Sequence, residues 1–247
     1  MTTVFVHGVP ETAALWDGVR GAIDRESVAV SLPGFGCPRP QGFSATKDAY
    51  TDWLVGELDR LGASDEPIDL VGHDWGGLLT VRVATAFGDG LRSWVTDGAN
   101  IFHERYEWHD LAKVWQTPGD GEAALAAMRA MGDDDVAALL VGVGVPEAHA
   151  LAMAQGDEVM DGCILDLYRS AVPNAHHDWG AAVGPTSAPG LVLLATEDTF
   201  GDPSLSGDMA TRLGARTEAL EGLGHWWMLQ DPARAAATLE QFWRTVA

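Results

Sequence analysis

The sequence predicts an α/β fold, a mostly parallel sheet of about six strands, and three observations predict it. Short β-branched runs alternate with helical patterns, as strands joined by crossover helices require. Most of those runs are nearly all apolar, as expected for strands covered on both faces. One long helical stretch, between Asp97 and Leu191, interrupts the alternation.

The first strand is predicted at residues 3–7, followed by a helix at 13–23. A second strand, 28–32, leads into Pro33-Gly34-Phe35-Gly36 and a helix at 46–61, with Thr46 as its N-cap. The third strand, 68–72, runs into a helix at 77–87, and the fourth strand is 93–97. The rhythm then breaks. The next stretch is rich in Ala, Met, Leu, Trp and acids. It shows helical periodicity at 121–131, 133–140, 147–154 and 158–170, punctuated by Pro118, Pro146 and Pro173. A helical insertion between two strands of a parallel sheet reads as a lid. The expected division is a core of 1–97 and 190–247 with a cap of 98–189. Residues 119–121 and 184–190 read as loops. Strands at 191–195 and 216–220 and helices at 205–213 and 232–245 complete the core, with Asp231-Pro232 as a cap followed by proline at the first helical position.

The 247 residues suffice for one large domain with a hydrophobic core. Fifteen Lys and Arg against 36 Asp and Glu give a net charge of -21, which argues against binding nucleic acid or anionic membrane. Cys37 and Cys163 fit no metal-ligand spacing and read as ordinary thiols in a reducing compartment, so neither a metal nor a cofactor is expected. No apolar run reaches the ~20 residues of a membrane span. The N-terminus has no basic segment followed by a long apolar stretch, so a cytoplasmic protein is expected.

The chemistry concentrates in Gly72-His73-Asp74-Trp75-Gly76-Gly77, between the third strand and its helix. Strand, Gly-x-Asp-x-Gly, helix is the context of a nucleophile elbow with aspartate in place of serine. The glycines are needed because side chains at Gly72 and Gly76 would clash in so tight a bend. Asp74 then stands at the carboxyl end of the sheet above a helix N-terminus, which should keep it ionised. An acid and a histidine follow in the expected order. Asp198, just after the fifth strand, is the acid, with Glu197 as the alternative, and Asp202-Pro203 can cap the next helix. His225, in Gly222-Leu223-Gly224-His225-Trp226-Trp227, follows the last strand. The backbone N–H groups of Val9 and Trp75 are the candidate oxyanion donors, and His7 is expected to organise the Gly8-Val9-Pro10 loop without reacting.

His7-Gly8-Val9-Pro10 together with Gly72-His73-Asp74-Trp75-Gly76-Gly77 resembles the α/β-hydrolase epoxide hydrolases and, more distantly, the haloalkane dehalogenases. Pro33-Gly34-Phe35-Gly36 sits where that superfamily has a glycine-rich loop. The resemblance covers roughly residues 1–97 and 190–247 and is specific for the aspartate-nucleophile branch. It implies an α/β-hydrolase fold, a covalent alkyl ester on Asp74 and hydrolysis of that ester by water activated by His225. Asp198 would orient the imidazole. The chain starts almost at the His-Gly-x-Pro strand, so the family's N-terminal hairpin is expected to be missing, and the cap is short.

The leaving group decides the class. An epoxide leaves as an alkoxide that must be protonated or hydrogen-bonded, in this family by tyrosines of the cap. Tyr168, in Asp166-Leu167-Tyr168-Arg169-Ser170, and Tyr106, shortly after the fourth strand, are the candidates. A halide instead needs N–H donors, which Trp75 with Trp108, Trp115 or Trp179 could supply. Dehalogenases often carry Asn or Glu after the His-Gly pair, whereas this chain has Val9, which favours the epoxide. The expected substrate is a small apolar organic molecule, with water as co-substrate. A haloalkane dehalogenase and a non-catalytic or biosynthetic relative are the alternatives. A serine esterase is disfavoured, since no Gly-x-Ser-x-Gly occurs.

Overall fold

The computed structural model describes residues 2–63 and 65–246. Its frame is a sheet of six strands: β1 (Thr3–Val6), β2 (Ser27–Val30), β3 (Ile68–Gly72), β4 (Leu91–Thr96), β5 (Gly190–Ala195) and β6 (Arg216–Leu220). Their spatial order is β2-β1-β3-β4-β5-β6, and every neighbouring pair is parallel. The chain moves outward from β1 to β2 and then returns to the other side of β1 for β3. That reversal is a topological switch point, where loops beyond the carboxyl ends of two adjacent strands diverge and leave a crevice. It sets the loop after β1 beside the bend after β3, with Val6 paired to Gly72 at their ends.

Alternate residues of each central strand face opposite layers, as the two-residue period demands. Val4, Val6 and Leu70 join one core with Leu54, Leu78 and Met209. These come from α2 (Lys47–Arg60), α3 (Asp74–Ala86) and α10 (Pro203–Leu213). Phe5, Val71 and Val95 join a second core with Val19, Leu239 and Phe242, from α1 (Asp17–Ala22) and α12 (Pro232–Trp243). Each such fully buried side chain contributes about 1.5–3 kcal/mol. β6, with Arg, Thr and Glu, is exposed over its first four residues and forms one edge.

Six α-helices stand between β4 and β5: α4 (Asp110–Gln116), α5 (Asp120–Met131), α6 (Asp133–Gly142), α7 (Glu147–Ala154), α8 (Glu158–Arg169) and α9 (Ala175–Trp179). A single turn, α11 (Trp227–Gln230), precedes α12. The alpha/beta architecture is the one the sequence predicts; the sheet, expected to be mostly parallel with about six strands, has six, all parallel. The two ends of the expected core, Met1 and Ala247, lie outside the described residues.

Local boundaries differ for physical reasons. The helix expected from residue 13 begins as a 3-10 turn, Ala13–Trp16, before α1. The helix expected from residue 77 begins at Asp74, so the elbow itself is its first turn. Gly121, assigned to a loop, lies inside α5, where Leu165 and Trp115 pack too close for a side chain. α4, α9 and α11 are too short for periodicity to reveal them. Thr46 accepts from Ala49 N, and Asp231 from Arg234 N, as the expected N-caps.

Candidate active site

The bend after β3 is as tight as its sequence implies. Asp74 has φ +50°, in the left-handed region that side chains seldom enter. A methyl group at Gly72 would run into the Gly76 carbonyl, and one at Gly76 would strike the backbone of Val6 and His7. A methyl at Gly8 would lie 2.6 Å from Asp74 Cβ, so that glycine lets the β1 loop close over the bend. The result is one short polar contact: Val9 N–H donates to Asp74 Oδ1 at 2.9 Å. Trp75 N–H, at the start of α3, has no partner within its helix.

The structure brings the other expected residues to the same edge. His225 Nδ1 lies 3.0 Å from Asp198 Oδ2. Asp198 Oδ1 accepts from Phe200 N at 2.7 Å and Gly201 N at 3.2 Å, which orients the carboxylate. Glu197, the alternative acid, is exposed, and Asp202 caps α10. His7 uses both ring nitrogens within the fold: Nδ1 donates to Gly8 O at 2.7 Å and Nε2 accepts from Leu32 N at 3.1 Å. That pattern is the neutral tautomer, and burial lowers the pKa of His7 to about 4.

A cavity of about 460 Å³ joins these groups. Asp74, His225, Asp198, Tyr106 and Tyr168 all line it. Tyr168 packs edge-on to Trp75 at 5.2 Å and to Trp115 at 4.9 Å, and Tyr106 packs edge-on to Trp108 at 5.2 Å. Both phenols are held neutral, first by burial and then by the negative charge of Asp74. Of the four indoles considered for a halide, Trp108 donates to Ala171 O and Trp179 to Asp48. The Nε1 atoms of Trp75 and Trp115 are buried without a hydrogen-bond partner.

Sequence reasoning missed a second layer of charge. Asp97 stands just beyond β4, as Asp74 stands beyond β3. Its Oδ2 accepts from His73 Nδ1 at 2.6 Å and from Trp227 Nε1 at 2.6 Å, and its Oδ1 from Asp74 N at 2.8 Å. Glu11 accepts from Gly8 N at 2.8 Å and Trp226 Nε1 at 2.7 Å. Its Oε1 lies 3.3 Å from His73 Nε2, an ion-pair contact outside hydrogen-bond alignment. Burial would neutralise His73, but Asp97 and Glu11 outweigh it and raise its pKa well above the usual value. Burial works against ionising Glu11 too, yet the charge of His73 holds it at about 2. The available signal was position: an acid directly after a central parallel strand faces the same crevice as the elbow.

One influence opposes the expected ionisation of Asp74. Burial raises its pKa, and the charges of His225 and His73 with the Val9 N–H offset that only in part. For His225, burial and the His73 charge oppose protonation, but Asp198 and Asp74 prevail and raise its pKa. One nitrogen or oxygen each from Glu11, His73 and His225 lie within 4.8 Å of one another, a spacing that could hold a metal ion. A metal there would have to displace the His73 proton, so the donor set suits a small hydrogen-bonding molecule better.

A parallel sheet that presents an acid on a strained strand-to-helix bend, with a histidine–acid pair in neighbouring loops, defines a hydrolase of the α/β type. The chain belongs to the alpha/beta hydrolase family, which it matches over residues 3–238. No curated protein sequence matches it. Among solved structures it is similar to haloalkane dehalogenase DbeA from Bradyrhizobium elkani USDA94, at 20% identity and a TM-score of 0.78, covering 99% of this chain and 90% of that one. It is similar as well to a Pseudomonas aeruginosa protein proposed to be an epoxide hydrolase, at 17% identity and a TM-score of 0.79, covering 99% and 88%. At such identities the likeness is one of fold. No helix among the described residues is long and apolar enough to cross a membrane.

Proposed function

We propose that the protein hydrolyses epoxides to diols through a covalent ester on Asp74. One observation carries the reading: two neutral phenols, Tyr106 and Tyr168, share a cavity with the Asp74 carboxylate and with His225. A carboxylate needs no base to attack saturated carbon, and a phenol can donate to the alkoxide that leaves.

In the first step Asp74 Oδ2 bonds to an epoxide carbon as the C–O bond breaks, and the alkoxide takes a proton from a tyrosine. Oδ1 stays on the Val9 N–H. In the second step His225 removes a proton from water as its oxygen adds to Asp74 Cγ. The spacing of Glu11, His73 and His225 lets one water touch all three. Charge develops on Oδ1, where the N–H groups of Val9 and Trp75 stabilise it. Collapse expels the diol oxygen, which takes the proton from His225. Asp74 is left as the acid, and its proton returns to the phenolate. The helices between β4 and β5 act as the cap that shields these steps from bulk water.

A second reading, haloalkane dehalogenation, uses the same ester and is favoured by the unpaired indole Nε1 atoms of Trp75 and Trp115. A panel of epoxides and haloalkanes, read for diol and for halide, separates the two. The variant His225→Gln should accumulate a protein mass increase equal to the substrate's mass for an epoxide. No mass increase with any substrate the native enzyme turns over would sink the ester mechanism.

A further inference from the structure

The cavity is far larger than the reacting groups need, and its two ends differ in chemistry. Loops at the carboxyl edge of the sheet supply the polar end. The helices α4–α8 supply the other, with Leu125, Val136, Leu140, Met153, Met160 and Ile164. Such a lining recognises hydrocarbon, and its methionines let it adapt to a flexible chain. Charge points the same way. No lysine or arginine occurs between Arg129 and Arg169. Arg129, which also lines the cavity, is held by Asp161 at 2.7 Å through Nη2, so its charge is already met. Asp133, Asp134 and Asp135 add negative charge in the first turn of α6.

The mouth is apolar too. Leu139 and Val143 line the cavity and yet are 54% and 51% exposed. Aliphatic side chains at a cavity's rim, open to water, gain when a second apolar group covers them.

We propose, resting on the reading of Asp74 as the nucleophile, that the substrate carries a long, unbranched, uncharged hydrocarbon chain. The chain lies along α5–α8, and its far end sits at the lip formed by Leu139 and Val143. Binding energy is then gained along the chain, while the reacting end is positioned by the polar groups.

Three series test this: 1,2-epoxyalkanes from butane to dodecane read for diol, the matching 1-bromoalkanes read for halide, and n-alkanamides from butanamide to decanamide read by calorimetric binding. Amide affinity and kcat/KM should rise by roughly fourfold per added methylene until the lip is reached, the increment of burying one. The double variant L139E/V143E changes exposed positions only. It should abolish the gain of the longest chains and leave butanamide unchanged. A terminal carboxylate on decanamide should weaken binding by at least about tenfold, because among the described residues the cavity lining has no lysine and its one arginine, Arg129, is paired with Asp161. Affinity that is flat with length, or L139E/V143E weakening butanamide as much as decanamide, would overturn the proposal. An amide gradient without diol or halide would support the chain site and instead overturn the reading of Asp74.

Discussion

His73 has a carboxylate on each ring nitrogen, Asp97 at 2.6 Å from Nδ1 and Glu11 at 3.3 Å from Nε2. Nδ1 donates to Asp97, and the Glu11 carboxylate lies within ion-pair range of Nε2; the two negative charges outweigh burial and hold the ring as a cation. Its ring centroid lies 4.5 Å from that of His225. The two carboxylates also bind Gly8 N, Asp74 N and the indoles of Trp226 and Trp227. One charged layer therefore ties together the β1 loop, the elbow and the loop that delivers His225.

His73→Gln should act on His225 through charge. The His73 cation opposes protonation of His225, so removing it raises the His225 pKa. The ester-hydrolysis step needs His225 as a base, and the acidic limb of the kcat profile should move to higher pH. Stability should fall by roughly 3–5 kcal/mol, because two buried carboxylates lose their counter-ion. The sign follows from a folded pKa raised above the unfolded one. The stabilisation is fully present below about pH 6.5 and is lost as pH rises through the folded value. An acidic limb that stays in place would show that this charge does not reach His225.

His7 predicts an early stage of acid unfolding. It is fully buried and neutral, with a folded pKa of about 4 against 6.5. The unfolded chain therefore takes up the proton first as pH falls. Stability should drop between about pH 6.5 and 4, by on the order of 3 kcal/mol. Protonation would also remove the acceptor for Leu32 N. Denaturant unfolding at half-unit pH steps reads the slope. If His7→Asn folds and keeps the full native slope in that window, another group is responsible.

The phenols separate the two chemistries. Tyr168→Phe and Tyr106→Phe should each slow Asp74 alkylation by an epoxide, by roughly 100-fold, the range of a single proton donor. Both should leave alkylation by a bromoalkane nearly unchanged, since bromide leaves without a proton. Single-turnover quench with intact-protein mass gives the rate. Equal rates for Tyr and Phe forms with an epoxide would remove the phenols from the chemistry.

Much of this was readable in the sequence because backbone constraint leaves a local mark. Gly72 and Gly76 had to be glycine for the bend, and the order Asp74, Asp198, His225 follows from strands whose carboxyl ends share one edge. Asp198 could be preferred to Glu197 on its spacing from the fifth strand, with Asp202-Pro203 free to cap the next helix, and His225 does face Asp198. Asp97, His73 and Glu11 were not read as a unit. Their partners lie up to 215 residues away, as for Glu11 and Trp226, and no periodicity records a contact at that range. The upward push on the Asp74 pKa was likewise hidden: the helix terminus is visible in sequence, but the burial that opposes it is not.

That burial supports the last prediction. Asp74 is a carboxylate that the fold disfavours in its charged form, at a backbone angle of φ +50°. Asn is among the few residues that tolerate the left-handed region, and its amide oxygen can still accept from Val9 N. Asp74→Asn should therefore be inactive yet more stable at neutral pH, by roughly 0.5–2 kcal/mol, the range of single stabilising changes that sacrifice function. A folded pKa raised above the unfolded one makes the ionised acid destabilising only above those values. The advantage of Asn should shrink as pH falls through the folded pKa and vanish once both states bind the proton. Thermal unfolding of both forms across pH 4–8 measures it. A variant no more stable at pH 7.5 would mean that the His225 and His73 charges fully compensate the buried carboxylate.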